Sequence, residues 1–170
     1  PMKSFITEFS ESQSVLHSWF MEIVLRATPD AESNPELFAV ARNFLVGLGS
    51  LTDAAQVPRF AAAVLAHLLQ ALGIAVHEEG GGAVPRFFSV SGGGFFHHAE
   101  YLDRVPVSEH LWARYCFLKN ADTATVALLD QNDSIDEHML SLLESFLEYH
   151  LERPIRSFGF LSGIISRGNV

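Results

Sequence analysis

The sequence predicts a mainly α fold: a compact helical domain that carries a small, glycine-rich insert of β type. Three observations lead there. Box-like helix starts recur along the chain, each followed by apolar residues at helical spacing. The 170 residues are 48% hydrophobic, enough for one sizeable core. One stretch breaks the pattern, Gly80 to Tyr101, where two glycine triplets (80–82 and 92–94) bracket the aromatic run Arg86-Phe87-Phe88-Ser89-Val90.

The elements follow in order. Ser10-Glu-Ser-Gln13 has the form of a capping box, and Val15, Leu16, Trp19, Phe20, Ile23 and Val24 continue it to about Ala27, before Pro29. Ser33-Asn-Pro-Glu36 is a second box with Pro35 near the first helical position, and Gly47 and Gly49 are its expected stop. Asp53-Ala-Ala-Gln56 opens a third helix, Val57 to Leu72, which Gly73 ends. The insert, about 74–101, is expected to hold short strands at Ile74–His77, Phe87–Val90 and Gly94–His97. Ser108 then caps Glu109 to Lys119. Residues 122–130 stay open: Thr123, Thr125 and Val126 favour a strand, Ala127-Leu-Leu a helix. Ser134-Ile-Asp-Glu137 opens the strongest helix, with Ile135, Met139, Leu142, Leu143, Phe146, Leu147 and His150 on its apolar face, ending before Pro154. A short helix from Ile155 to about Ser166 closes the chain.

Composition limits the function. No run of 18 apolar residues is free of Arg, His, Gln or Glu, so no membrane span or membrane partner is expected. Eleven basic against 20 acidic residues give a net charge of −9, which argues against strong nucleic-acid binding by this chain alone. Charge is also segregated. Residues 121–152 hold acidic side chains and no Lys or Arg, whereas 153–170 hold Arg153, Arg156 and Arg167 and no acid. The single cysteine, Cys116, excludes an internal disulfide, fits a reducing cytoplasm and reads as a core thiol. The chain begins Pro1-Met2, as a piece of a longer protein would.

Enzymatic motifs are lacking: there is no G-x-S-x-G, H-E-x-x-H or Walker loop, so the chain is read as a non-enzyme. His77, His97 and Glu100 are weak metal candidates in the insert, set against surface histidines on a turn. His67 and His150 read as core or boundary residues, and Glu144 and Glu148 as the solvated side of their helix. The turn Arg153-Pro-Ile-Arg156-Ser157-Phe158 is the better candidate. Guanidinium forks grip carboxylates, and Leu151, Ile155 and Phe158 could hold an apolar peptide end. The competing reading has Arg153 capping the preceding helix.

The order of these features resembles one family. It runs Trp19-Phe-Met-Glu-Ile-Val-Leu, Pro35-Glu-Leu-Phe38, Leu72-Gly73, Phe87-Phe-Ser-Val with Gly92-Gly-Gly, and Tyr149-His-Leu-Glu-Arg-Pro-Ile-Arg-Ser-Phe-Gly-Phe-Leu. This is similar to the C-terminal helical domain of RecO, the bacterial recombination mediator. The resemblance implies residues 10–170 as that domain, with 1–9 as the linker from an N-terminal OB-fold domain. It implies a cytoplasmic, nucleoid-associated DNA repair factor that anneals strands and loads RecA. Its partners would be RecR, the acidic Phe-ended tail of the single-stranded DNA-binding protein SSB, and single- and double-stranded DNA, bound mainly through the N-terminal domain. Arg114, Lys119, Leu151, Arg153, Arg156 and Phe158 are the residues assigned to the tail. Many RecO proteins bind zinc with four cysteines in the insert; this insert has none, so no zinc or other cofactor is expected. The residues alone also allow a metal- or ligand-binding helical protein that uses the insert, or an unrelated all-α interaction domain.

Overall fold

A computed structural model describes residues 10–28, 33–80, 83–98, 100–129 and 134–168, with no side-chain account of 167–168. Among them lie seven α-helices and a four-stranded sheet. The helices are α1 (Glu11–Ala27), α2 (Pro35–Ser50), α3 (Val57–Ala71), α4 (Glu109–Asn120), α5 (Thr123–Val126), α6 (Ser134–Leu151) and α7 (Ser157–Gly168). The strands are β1 (His77–Glu78), β2 (Phe87–Ser89), β3 (Gly94–Phe96) and β4 (Val105–Pro106). The expectation of a helical domain with a small β insert holds.

The first capping box is present: the Ser10 hydroxyl accepts the Gln13 N–H, and the Gln13 side chain accepts the Ser10 N–H at 2.8 Å. At α2 the cap is Asn34, one residue later than the Ser33 expectation, its side chain accepting the Leu37 N–H at 2.8 Å. Gly47 does not end α2. It lies inside the helix against Phe60, where a Cβ would come within 2.4 Å of the ring. Asp53 and Gln56 form their box over a single 3-10 turn, 54–56, that leads into α3. Gly73 follows α3 with φ +74°, the left-handed stop that glycine reaches without strain. The ambiguous 122–130 segment is helical at α5, because the Asp122 carboxylate accepts the Thr125 N–H at 3.0 Å. Ser134 is already helical, and the position before it lies outside the described residues, as do Pro29 and the linker 1–9. Lastly, α7 begins at Ser157, two residues after the expected Ile155.

The core forms around α3, which is buried along nearly its whole length and packs on α2, α4, α5 and α6. Phe20, Phe44 and Phe60 stack from α1 through α2 to α3, at 4.2 and 5.8 Å between ring centres. Full burial of each such side chain contributes about 1.5–3 kcal/mol. On the far side α7 packs along α1.

The sheet order is β1-β3-β2-β4, with β1 parallel to β3 and the other pairs antiparallel. The strands are shorter than expected, and β4 lies beyond the expected end of the insert. Phe88 and Phe95 face inward and are fully buried, with Phe95 set against Trp112 and Tyr115 of α4. The sheet is therefore anchored to the helices through two phenylalanines.

Candidate functional site

The turn that joins α6 to α7 is held by its backbone. Glu152 has φ +53°, which reverses the chain after α6. The Glu148 carboxylate accepts the Ile155 N–H at 2.6 Å. From α1, Glu22 accepts the N–H groups of Arg156 at 3.1 Å and Ser157 at 2.8 Å. Arg26 donates to the Pro154 carbonyl at 2.6 Å and pairs with Glu22 at 2.7 Å. Burial tends to raise the Glu22 pKa, but the hydrogen bonds from Ser157 and Arg156 and the charge of Arg26 outweigh it and hold the carboxyl below its ordinary value.

With the backbone engaged, the side chains of Arg153 and Arg156 are exposed and form no hydrogen bond or ion pair among the described residues. Arg153 therefore does not cap α6. Ile155 and Phe158 are buried and Leu151 is half-buried, so Phe158 roots the turn in the core rather than lining its surface. The most exposed apolar side chains on the adjoining elements are Leu25, 70% exposed, at the end of α1, and Phe160, 68% exposed, in the first turn of α7. Together with Arg26 they are the residues that sequence reasoning missed. Phe160 follows Phe158 at a spacing that puts the two on different sides of a helix, a signal already present in the sequence.

Arg114 and Lys119 do not join this turn. Arg114 donates to Asp136 at 2.5 Å, beside Arg59, which meets the same carboxylate at 2.8 and 2.9 Å. Asp136 is completely buried. It sits near the start of α6 and Arg153 just past its end, a separation of about 24 Å along the axis at 1.5 Å per residue. Lys119 is ion-paired with Glu78 of β1 and lies 5.4 Å from the centre of the Tyr115 ring. Those two cations tie elements together. Burial, with Glu78 nearby, raises the Tyr115 pKa, and burial raises that of the Cys116 thiol, which fits a structural cysteine.

Glu144 and Glu148 do not form a solvated face. Glu144 is largely buried in a cleft of about 200 Å³ between α6 and α7, lined also by Glu137, Ser141 and Ser162. Its Oε1 has no hydrogen-bond partner among the described residues. Burial, then the charge of Glu148, pushes its pKa up to about 8. His67 is a boundary residue, with Nε2 2.9 Å from the Ala121 carbonyl. His150 is exposed rather than apolar-facing, its ring 4.4 Å from that of Phe146.

The insert does not assemble a metal centre from its candidates. Among the described residues no three of His, Cys, Asp and Glu gather as a ligand set. His77 packs its ring 5.6 Å from Phe96, and Glu100 is exposed. The residues present do not fit a four-cysteine zinc. Among the described residues, no helix is long and apolar enough to cross a membrane.

Comparison with known proteins adds to this geometry. The family described as "Recombination protein O C terminal" matches residues 14–158. A curated protein called DNA repair protein RecO, from Pelotomaculum thermopropionicum (strain DSM 13744 / JCM 10971 / SI), is 30% identical over 149 residues, which cover 85% of this chain and 58% of that relative. The chain thus spans less than two thirds of the relative's length. No solved structure matches it.

Proposed function

Because the chain belongs to the family of RecO C-terminal domains, we propose that it is the protein-binding helical part of a DNA repair and recombination mediator, and that the α6–α7 turn holds the acidic, Phe-ended tail of SSB. The observation that carries the site is the pair of exposed, unpaired guanidiniums, Arg153 and Arg156, on a turn whose backbone is fixed by Glu22, Glu148 and Arg26. A rigid basic turn loses little entropy when it grips carboxylates. Leu25 and Phe160 supply apolar surface on the elements beside it. In this reading the chain acts by binding and performs no bond chemistry. Contact with RecR, strand annealing and RecA loading belong to the whole mediator, whose N-terminal OB-fold domain carries most of the DNA affinity. The setting is the cytoplasm, at the nucleoid.

The test is fluorescence anisotropy of a labelled peptide with the SSB tail sequence, titrated with the chain at low and moderate salt. Saturable binding that weakens with salt, and by about tenfold or more in Arg153→Ala/Arg156→Ala, is expected from the loss of charge-assisted hydrogen bonds. Arg114→Lys, which changes the cation at Asp136, should leave affinity unchanged. Binding indifferent to the turn variants would remove the site. No binding by the folded chain would remove the tail as its ligand.

A further inference from the structure

The cleft between α6 and α7 is lined by oxygen acceptors and apolar carbons. Glu137, Ser141 and Glu144 share one face of α6, and Ser162 and Ser166 share one face of α7. The two α7 hydroxyls spend their hydrogens within the helix: Ser162 donates to the Phe158 carbonyl at 3.0 Å and Ser166 to the Ser162 carbonyl at 2.9 Å. Their oxygens keep only lone pairs to offer. Oε1 of Glu144 is fully buried and unpartnered among the described residues. None of the described residues that line the cleft is Lys, Arg or His. The site lacks a donor, and a buried acceptor left without one is costly.

The volume of about 200 Å³ far exceeds the roughly 10–15 Å³ that one water needs. A metal ion does not fit. The backbones of Glu137 and Glu144 stand about 10 Å apart along the axis, and no three ligand side chains gather among the described residues. An ammonium group on a flexible alkyl stem does fit. Its donors can take the Glu144 carboxylate and the serine oxygens, while its methylenes lie along Leu140 and Ile165. Ser141, Ser162 and Ser166 are exposed, so the cleft opens to solvent. The α6 wall belongs to the stretch 121–152, which carries acids and no Lys or Arg and so draws a basic chain more strongly than a lone amine.

We propose that this cleft receives a lysine side chain of a basic partner segment, its ammonium held by Glu144, Ser162 and Ser166. Binding then displaces a proton. In the free chain burial, and then the charge of Glu148, keep Glu144 protonated up to about pH 8, and the incoming ammonium expels that proton. The charged groups near Glu144 are Glu137 and Glu148 of its own helix; the described residues of α7 in the cleft are uncharged. The site lies apart from Arg153 and Arg156 and stands whether or not their turn binds a peptide.

The experiment follows amide shifts of the isotope-labelled whole chain by NMR during titration with the acetylated, amidated peptide Lys-Gly-Lys-Gly-Lys at low salt. Amides of residues 140–145 and 161–166 should shift. Affinity should rise by about tenfold per pH unit below about pH 8 and level off above it, because one proton leaves for each ligand bound. At pH 8, Glu144→Gln, which keeps the shape and removes the charge, should weaken binding by about tenfold or more and abolish the pH dependence. The same peptide with its lysines acetylated should not bind; this arm needs no altered protein. Arg153→Ala/Arg156→Ala should not weaken binding, and n-butylamine should bind less tightly than the peptide. No binding, affinity independent of pH, full affinity in the glutamine variant, binding of the acetylated peptide, n-butylamine as tight as the peptide, or shifts confined to other residues would each overturn the proposal.

Discussion

Glu22 of α1 caps α7: its carboxylate accepts the Ser157 N–H at 2.8 Å, across 135 positions of sequence. The free N–H groups at a helix start favour a negative charge, and here another helix supplies it. Glu22→Ala should therefore destabilise the chain by about 1–2 kcal/mol, as loss of a helix cap does. The folded pKa lies below the ordinary 4.5. The stabilisation is thus complete above the unfolded value and is lost as pH falls through the folded one. Urea unfolding of the wild type and Glu22→Gln at pH 7 and in acid should show a gap that closes on acidification.

Asp136 holds α3, α4 and α6 together through Arg59 and Arg114. Asp136→Asn would leave two arginines, one of them buried, facing a neutral amide. Loss of one partner from a buried ionic cluster costs about 3–5 kcal/mol. Arg114→Ala should cost less than Arg59→Ala, because the Arg114 side chain is 21% exposed and that of Arg59 only 7%. Denaturation midpoints should rank the variants in that order.

Glu144 works in the opposite direction to Glu22. Its folded pKa is raised to about 8 from 4.5, so the folded chain holds a proton there that the unfolded chain releases. The neutral acid is accommodated fully below the unfolded value, and stability declines as pH rises through the folded one. The decline has an upper bound of about 5 kcal/mol, at 1.36 kcal/mol for each pKa unit. Glu144→Gln should flatten this slope between the two values, from about pH 5 to pH 8, read as the melting temperature against pH. A slope that survives the substitution would assign it to another group.

Gly94 lets β1 lie against β3. A Cβ at this position would stand 2.1 Å from the His77 carbonyl oxygen, a backbone atom that can withdraw only if the strands part. Gly94→Ala should detach β1, release Glu78 from Lys119 and expose Phe95. Far-UV circular dichroism should keep the helical signal while near-UV bands from Trp112 and Tyr115 weaken.

Local rules carried far into this chain. The Ser10 and Asp53 boxes formed where the sequence placed them, because capping depends only on neighbours three residues apart. The one-residue shift from Ser33 to Asn34 was also local: either side chain can cap, and Pro35 fits directly after Asn34. Gly47 read as a stop because its packing against Phe60 is a tertiary matter. Charged residues were harder still. Arg114, Lys119 and Glu144 have no sequence mark that separates a solvated charge from a buried one; that depends on which helix lies opposite. Arg153 and Arg156 stay exposed because donors and acceptors remote in sequence, Arg26 and Glu22, satisfy the turn's backbone.

The burial of α3 on all sides has a consequence for how the domain comes apart. α3 is enclosed by α2, α4, α5 and α6, and its side chains belong to one contiguous buried apolar cluster that also takes in residues of α1 and α7. With one core shared among them, the helical body should melt in a single cooperative step.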